Sequence, residues 1–84
     1  MVKLVYFAWI RERIGKSEEE IELPQDVRTI GDLIAHLGAR GDGYAAAMAA
    51  PEAVHAAINQ QHCLHQDAIG DAREIALFPP MTGG

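Results

Sequence analysis

The chain has 84 residues, of which 49% are hydrophobic, and a formal net charge of −5 at pH 7. This length predicts one domain with a single small core, and the apolar content argues against a disordered chain. The acidic balance disfavours a nucleic-acid partner, since phosphate binding needs clustered Lys and Arg side chains. A protein with a basic surface is the class of partner that the charge favours.

The start of the chain, MVKLVYFAWIRERIG, lacks a small-residue cleavage site and soon becomes charged. It is therefore typical of a buried strand rather than of a signal peptide. No apolar run approaches the roughly 20 residues of a membrane span. The single cysteine, Cys63, allows neither an intramolecular disulfide nor a four-cysteine zinc site. We expect a cytoplasmic protein with no membrane partner.

Two strands are predicted first. The almost continuous apolar run of residues 2–10 predicts a central strand, and RERIGK, residues 11–16, predicts a charged turn that bends at Gly15. SEEEIELP then alternates, with Ile21 and Leu23 on one face, which predicts a half-exposed strand. The two strands are expected to form an antiparallel hairpin.

The main helix is predicted over TIGDLIAHLG, residues 29–38. Thr29 is the expected N-cap, with Asp32 at the third helical position, and Gly38 is expected to end the helix in a left-handed conformation. Four apolar residues recur at helical spacing and form one stripe: Ile30, Leu33, Ile34 and Leu37. The alanine-rich residues 44–50 predict a short accessory helix.

Three strands are predicted in the second half. AVHAAINQQ, residues 53–61, alternates in polarity, CLHQDAIGDA predicts a short edge strand with turns, and residues 74–78 predict the last strand. A mixed sheet packed on one main helix, an α+β fold, needs only the single stripe of that helix. We expect this domain to span residues 1–78 and an extended tail to occupy residues 79–84.

The last seven residues, FPPMTGG, offer the clearest chemistry. Pro79 and Pro80 have no amide hydrogen, so strand pairing must stop at Phe78, and both prolines favour a stiff extended exit. Gly83 and Gly84 have no side chains, so this tip fits a channel too narrow for other residues. The pattern favours delivery of the Gly84 carboxylate to another protein's active site, and the alternative is a frayed, inert terminus.

The whole chain resembles the ubiquitin-like sulfur carrier family, and within it the small subunits of molybdopterin synthase. The resemblance rests on FAWIRERIG, TIGDLIAHL, AINQ and, most specifically, FPPMTGG. It implies the β-grasp fold. It also implies that an ATP-dependent activating enzyme adenylates Gly84 and that sulfur then replaces the adenylate. The resulting thiocarboxylate would supply sulfur to the synthase large subunit, which builds the molybdopterin dithiolene from a cyclic pyranopterin monophosphate.

The resemblance implies two protein partners, the large subunit in a heterotetramer and the activating enzyme. ATP is used by that enzyme, and no cofactor is expected to be bound to this chain, which donates sulfur and supplies no general acid or base. We expect Gly83 to act as the steric gate for tail entry. The expected partner-binding residues are Phe78, Pro79, Pro80, Met81 and Thr82. Met81 and the segment DARE, residues 71–74, depart from the family pattern.

Other readings of the sequence remain open. Sulfur carriers of thiamine biosynthesis and ubiquitin-like protein modifiers also end in Gly-Gly, although FPPMTGG and the helical segment 44–50 favour the molybdopterin role. A protein of a different class, a non-catalytic interaction domain with an inert tail, is the second alternative.

HCLH, residues 62–65, allows a metal site in which Cys63 and His65 share a face and Asp67 is the third ligand. Surface residues on an edge strand are the favoured interpretation, because nothing else in the sequence fixes a ligand set. Cys63 is expected to be an ordinary thiol. Asn59 is expected to hydrogen-bond a turn. The glutamates at 18–20 predict a solvated strand start or, alternatively, a surface that docks a basic partner.

Overall fold

The computed structural model of the protein describes residues 1–80, which form five strands and three helices. The strands are β1 (Val2–Tyr6), β2 (Glu18–Ile21), β3 (His55–Ile58), β4 (Gln61–Cys63) and β5 (Glu74–Phe78), and the helices are α1 (Ala8–Ile14), α2 (Ile30–Gly38) and α3 (Asp42–Ala47), with a 3₁₀ turn at Pro51–Ala53. None of the helices in this part of the chain has the length and apolar character that crossing a bilayer requires.

One mixed sheet contains all five strands, in the order β2-β1-β5-β3-β4. β5 lies at its centre, parallel to β1 and antiparallel to β3. β1 and β2 pair antiparallel, as expected, although α1 stands between them in the chain. The α+β prediction of a mixed sheet with one main helix is confirmed.

The first predicted strand was too long. β1 ends at Tyr6, and the rest of the apolar run, together with the supposed turn, forms α1, which ends where Gly15 adopts a left-handed φ of 88°. Helical spacing lets Ile10 lie fully buried in the core and Ile14 pack against it. A continuous apolar run is compatible with either a buried strand or a buried helix, so periodicity alone did not distinguish them.

The main helix begins as predicted. The Asp32 N–H donates to Thr29 Oγ1 at 3.1 Å, and the Thr29 N–H donates to Asp32 Oδ2 at 3.2 Å, which completes a capping box. The predicted apolar stripe is buried throughout: Ile30, Leu33, Ile34 and Leu37. The expected left-handed end at Gly38 is wrong. Gly38 is the last helical residue, and Ala39 caps the helix in a right-handed conformation.

The sheet has a core face and an outer face. The side chains of Leu4, Ile75 and Leu77 are fully buried on the core face. Strand alternation places other side chains on the outer face. One row of residues that pair across β1, β5, β3 and β4 in turn consists of Val5, Ala76, Ala57 and His62. Phe78 and His55 form the next pair along this face. The outer face therefore combines a small apolar centre with aromatic rings at the end where β5 leaves the sheet.

A two-residue turn joins β3 to β4. Asn59 and Gln60 have φ angles of 49° and 73°, the positive values of a type I′ hairpin turn. The Asn59 side-chain oxygen accepts hydrogen bonds from the backbone N–H groups of Arg73 and Glu74, at 3.0 and 3.1 Å. Asn59 was expected to hydrogen-bond a turn, and its partners are the last residue of the preceding loop and the first residue of β5. This contact fixes the start of β5.

Candidate functional site at the end of the central strand

The tail leaves the sheet from its central strand. β5 makes its last pairs as Tyr6 with Leu77 and as His55 with Phe78. The Phe7 N–H donates to the Leu77 carbonyl at 3.1 Å and closes the β1 side of the ladder. β5 ends at Phe78, as the two prolines predict, because neither can donate a ladder hydrogen bond.

An apolar groove lies beside this exit. It has a volume of about 350 Å³ and is lined by Phe7, Ala8, Phe78, Pro79 and Pro80. Phe7 is 46% exposed, which is high for a large apolar side chain. The strand predicted over residues 2–10 included Phe7. That assignment was wrong, because β1 ends before Phe7 and Ala8 adopts a positive φ of 53° as the chain enters α1.

Two imidazoles flank Phe78 on the outer face. The ring centroid of Phe78 lies 5.1 Å from that of His62 and 6.1 Å from that of His55. The Phe78 side chain is half-buried, and both histidines are exposed. Neither histidine was predicted to belong to the tail exit, since the contact depends on strand pairing that local sequence does not reveal.

The residues of the HCLH segment make structural contacts. Cys63 Sγ lies 3.5 Å from the Ala56 carbonyl oxygen, and a ring nitrogen of His65 lies 2.6 Å from that of Val54. Asp67 accepts a hydrogen bond from a backbone N–H of its own loop at 2.7 Å. Within residues 1–80, no group of three or more His, Cys, Asp or Glu residues is placed to hold a metal ion.

The Cys63 thiol is not activated. Burial raises the pKa of Cys63, and the negative charge of Asp67 raises it further. Both effects favour the protonated thiol over the thiolate that a nucleophile or persulfide carrier requires. The interpretation of Cys63 as an ordinary thiol agrees with these surroundings.

Glu19 has a different environment from the one the sequence predicted. Tyr6 and Tyr44 each donate a hydrogen bond to Glu19 Oε2, both at 2.7 Å. Lys16 donates to Glu19 Oε1 at 3.2 Å, and Arg40 lies 3.6 Å from the same oxygen. The Glu19 side chain is only 11% exposed. A solvated strand start is therefore wrong for Glu19, although its neighbours on β2 are exposed: Glu18 and Glu20.

These contacts determine the protonation states of Glu19 and Tyr6, which with Tyr44 form a hydrogen-bonded cluster. Burial alone would raise the pKa of Glu19, but hydrogen bonds from Tyr44, Tyr6 and Lys16 outweigh it and lower the pKa below its usual range. Burial also raises the pKa of Tyr6, and the hydrogen bond to Glu19 raises it further. The cluster therefore holds a carboxylate and a neutral phenol, and it joins β1, β2 and α3.

A mixed five-stranded sheet on one main helix, with the exit of its central strand bordered by an apolar groove, defines a ubiquitin-like β-grasp domain. The crystal structure of SAMP1 from Haloferax volcanii has the same fold, with a TM-score of 0.69 and 23% identity, and the match covers 99% of this chain and 98% of that one. The model of the ThiS family matches residues 4–84, and the chain belongs to this family.

Two relatives share more of the sequence. The chain is 37% identical over 84 residues to the molybdopterin synthase sulfur carrier subunit of Haemophilus influenzae (strain ATCC 51907 / DSM 11121 / KW20 / Rd). It is 34% identical over 84 residues to the protein of the same name from Escherichia coli (strain K12). Both matches cover 100% of this chain and of the relative. The predicted family and fold are thereby confirmed.

The expected partner-binding residues are only partly within the described chain. Phe78, Pro79 and Pro80 come together in the apolar groove. The other tail residues to which the sequence assigned roles lie outside the described residues: Met81, Thr82, Gly83 and Gly84. Their roles stay predictions, as does the division into a domain of residues 1–78 and a tail of residues 79–84.

Proposed function

We propose that this chain is the sulfur carrier subunit of a molybdopterin synthase and that Gly84 carries the sulfur as a thiocarboxylate. The observation that carries the proposal is the full-length identity of 34% and 37% to proteins of that name. The match to the family model extends through residue 84 and so includes the Gly-Gly pair. The central position of β5 adds a physical argument, because a firmly held strand is a suitable base for presenting a tail.

Activation of the carboxylate is the first chemical step. A carboxylate is a poor electrophile, so a Gly84 oxygen attacks the α-phosphorus of ATP and pyrophosphate leaves, which gives an acyl adenylate. A hydrosulfide equivalent then attacks the acyl carbon, the bond to AMP breaks, and a thiocarboxylate forms without net oxidation or reduction. The thiocarboxylate sulfur then bonds to a carbon of the pterin precursor and displaces an oxygen leaving group. Water attacks the acyl carbon and the acyl carbon–sulfur bond breaks, which leaves the sulfur on the pterin and restores the Gly84 carboxylate.

The chain's own contribution is presentation of the tail. The half-exposed Phe7 and the groove beside Pro79 form an apolar surface next to the tail exit, to which a partner can bind. We propose that the synthase large subunit and an ATP-dependent activating enzyme bind this surface in turn, and that ATP is bound by that enzyme. A heterotetramer with the large subunit, working in the cytoplasm, is part of the same proposal.

Intact-mass measurement tests the proposed function. The protein is incubated with the activating enzyme of the same organism, ATP and sulfide. Replacement of one oxygen by sulfur adds about 16 Da, and fragmentation should locate the gain at Gly84. An unchanged mass would favour the inert interaction domain. Sulfur loading without molybdopterin formation by the large subunit would favour a thiamine-type carrier, and an isopeptide-linked conjugate would favour a protein modifier.

A further inference from the structure

The chain has two lysines, Lys3 and Lys16, and both lie beside glutamates of β2. The Lys16 side chain is 50% exposed and the Lys3 side chain is 41% exposed, so both ammonium groups are open to solvent. A lysine amine attacks activated carboxyl groups, but only in its unprotonated form. Exposure alone would therefore make Lys16 slightly the more reactive of the two.

The carboxylate beside Lys16 is held in place from several sides. Lys16 Nζ lies 3.2 Å from Glu19 Oε1, and the Glu19 side chain is only 11% exposed. Tyr6 and Tyr44 donate hydrogen bonds to the other carboxylate oxygen, Oε2. The Arg40 guanidinium approaches Oε1 at 3.6 Å from the connection between α2 and α3. Lys16 is thus paired with a partly buried carboxylate that other elements of the fold keep in position.

The Tyr44 side chain also contacts Lys16. Lys16 Nζ lies 6.0 Å from the centroid of the Tyr44 ring, within the range of a cation–π contact, and the Arg40 guanidinium lies 4.9 Å from the same centroid. Hydrogen bonding to Tyr44, and then hydrogen bonding to Glu19 and the charge of Glu19, raise the pKa of Lys16 above its usual value. These contacts favour the ammonium form, which has no lone pair with which to attack a carbonyl carbon.

Lys3 has looser surroundings. Its Nζ lies 3.4 Å from Glu18 Oε2, but the Glu18 side chain is 55% exposed, and water and salt screen such a pair. The residues directly opposite Lys3 in the sheet are Glu20 on β2 and Glu74 on β5. Neither of these two carboxylates comes within 4.0 Å of the Lys3 ammonium group. Lys3 can therefore leave its partner more easily than Lys16 can, and its amine is the freer one to react.

We propose that the hydrogen-bonded Glu19 carboxylate protects Lys16 from acylation, so that Lys3 is the lysine at which activated carboxyl groups modify this chain. The proposed function produces one such group, the Gly84 adenylate, and the part of the inference that concerns Gly84 rests on that function. When adenylated Gly84 of one copy meets a second copy, the unprotonated Lys3 nitrogen attacks the acyl carbon. The bond to AMP breaks, AMP leaves with the electron pair, the nitrogen releases a proton, and an isopeptide joins the two copies. Sulfide attacks the same carbon, so this transfer is expected where sulfur is lacking.

Acetylation of the purified chain measures the difference between the two lysines directly. The protein reacts with N-hydroxysuccinimide acetate at pH 7.5, and peptide mass spectrometry follows each lysine with time. Fragment spectra separate Lys3 from the α-amino group of Met1. Lys16 should react at least roughly threefold more slowly than Lys3, because an ion pair within a network must open before the amine can attack. Equal rates, or a faster reaction at Lys16, would overturn the proposal. A threefold difference that persists in urea-unfolded protein would also overturn it, since local sequence would then be the cause.

Variants of the glutamates identify the protecting group. Glu19→Gln removes the charged partner of Lys16, so acetylation of Lys16 should become roughly threefold faster, while the Lys3 rate stays within about twofold of wild type. Glu18→Gln is the matched control and should leave Lys16 at its wild-type rate. Tyr44→Phe keeps Glu19 but removes one donor, should also accelerate Lys16, and decides the matter if Glu19→Gln does not fold. A Lys16 rate that is unchanged in folded Glu19→Gln, or in Tyr44→Phe, would refute the protection.

The tail itself supplies the last test. The protein is incubated with the activating enzyme of the same organism and ATP but without sulfide, and isopeptide-linked peptides are identified after digestion. Links from Gly84 to Lys3 should outnumber links to Lys16 by roughly threefold or more. A majority at Lys16, or no link at all while pyrophosphate is released, would refute the transfer between copies. Failure to release pyrophosphate would refute the proposed function and the transfer that rests on it, whereas the acetylation rates would still decide the protection of Lys16.

Discussion

The Tyr44 hydroxyl donates a 2.7 Å hydrogen bond to Glu19 and so ties α3 to the edge strand β2. Tyr6, on the neighbouring strand β1, donates to the same carboxylate oxygen. The Arg40 guanidinium lies over the Tyr44 ring, 4.9 Å from its centroid, and also approaches Glu19. A single carboxylate therefore joins β1, β2 and α3.

Replacement of this carboxylate should destabilise the fold in a pH-dependent way. Glu19→Gln should lower the free energy of unfolding by about 1–3 kcal/mol at pH 7, since hydrogen bonds to a charged acceptor are lost. Because the folded-state pKa of Glu19 is lowered, its contribution is present above the unfolded pKa and is lost as the pH falls through the folded value. Urea denaturation at pH 7 and pH 3 measures this, and the difference from wild type should shrink at pH 3.

The exposed residue Glu22 provides the matched control. Glu22→Gln should change the free energy of unfolding by less than about 0.5 kcal/mol at either pH. A destabilisation by Glu19→Gln that is the same at pH 7 and pH 3 would contradict a role for the ionised carboxylate.

The hairpin turn offers a stabilising substitution. Gln60 has a φ of 73°, a conformation that costs a residue with a Cβ about 1 kcal/mol and costs glycine almost nothing. Gln60→Gly should raise the free energy of unfolding by about that amount, whereas Gln61→Gly, within β4, should lower it by about 0.5–1 kcal/mol. Thermal denaturation of both variants tests the turn type, and a lower melting temperature for Gln60→Gly would rule out the type I′ turn.

Phe78 should contribute strongly to partner binding. Phe78→Ala removes an aromatic side chain from the groove, and truncation of such an anchor typically costs about 2 kcal/mol, or roughly 30-fold in Kd. Binding of both the large subunit and the activating enzyme should weaken, while circular dichroism shows a retained fold. Gln25→Ala, in the loop between β2 and α2, should leave both affinities unchanged. Unaltered binding of Phe78→Ala to each partner would locate the interface elsewhere.

The position of the terminal carboxylate should be critical for sulfur transfer. Adding or deleting one residue at Gly84 moves the carboxylate by about 3.3–3.6 Å, more than a reactive geometry tolerates. Both variants should fold normally yet form no molybdopterin with purified partners. Gly83→Val should fail as well, because its side chain blocks a narrow channel. Full activity after deletion of Gly84 would refute the carrier role.

Local signals accounted for much of the fold. The Thr29–Asp32 capping box and the helical stripe can be read from neighbouring residues, and the structure contains both. The end of β5 at Phe78 follows from the chemistry of proline. In contrast, residues 8–10 belong to a helix that shares its apolar character with the preceding strand, so composition could not locate the boundary.

The parts of the site that sequence reasoning missed depend on contacts between distant elements. Glu19 appears in a run of glutamates, and only its pairing opposite Leu4 turns its side chain toward Tyr6 and Tyr44. His62 meets Phe78 only because an alanine stands between them on the intervening strand. The nearest available signal was the strand periodicity of β3, which places Ala57 on the outer face but does not identify what lies beside it.

Because β5 is the central strand, the proposed binding surface around Phe78 forms only when β5 joins the sheet. The ladders β1–β2 and β3–β4 are joined only through β5, and Lys3 pairs with Glu74 across nearly the whole chain. Such long-range pairing forms late in folding, so a nascent chain cannot complete the sheet before Phe78 has emerged from the ribosome. A partner that contacts Phe78 together with His55 therefore binds only a chain in which β5 has paired with β3. A chain in which this pairing has not formed would not be bound, even though it carries the same FPPMTGG tail.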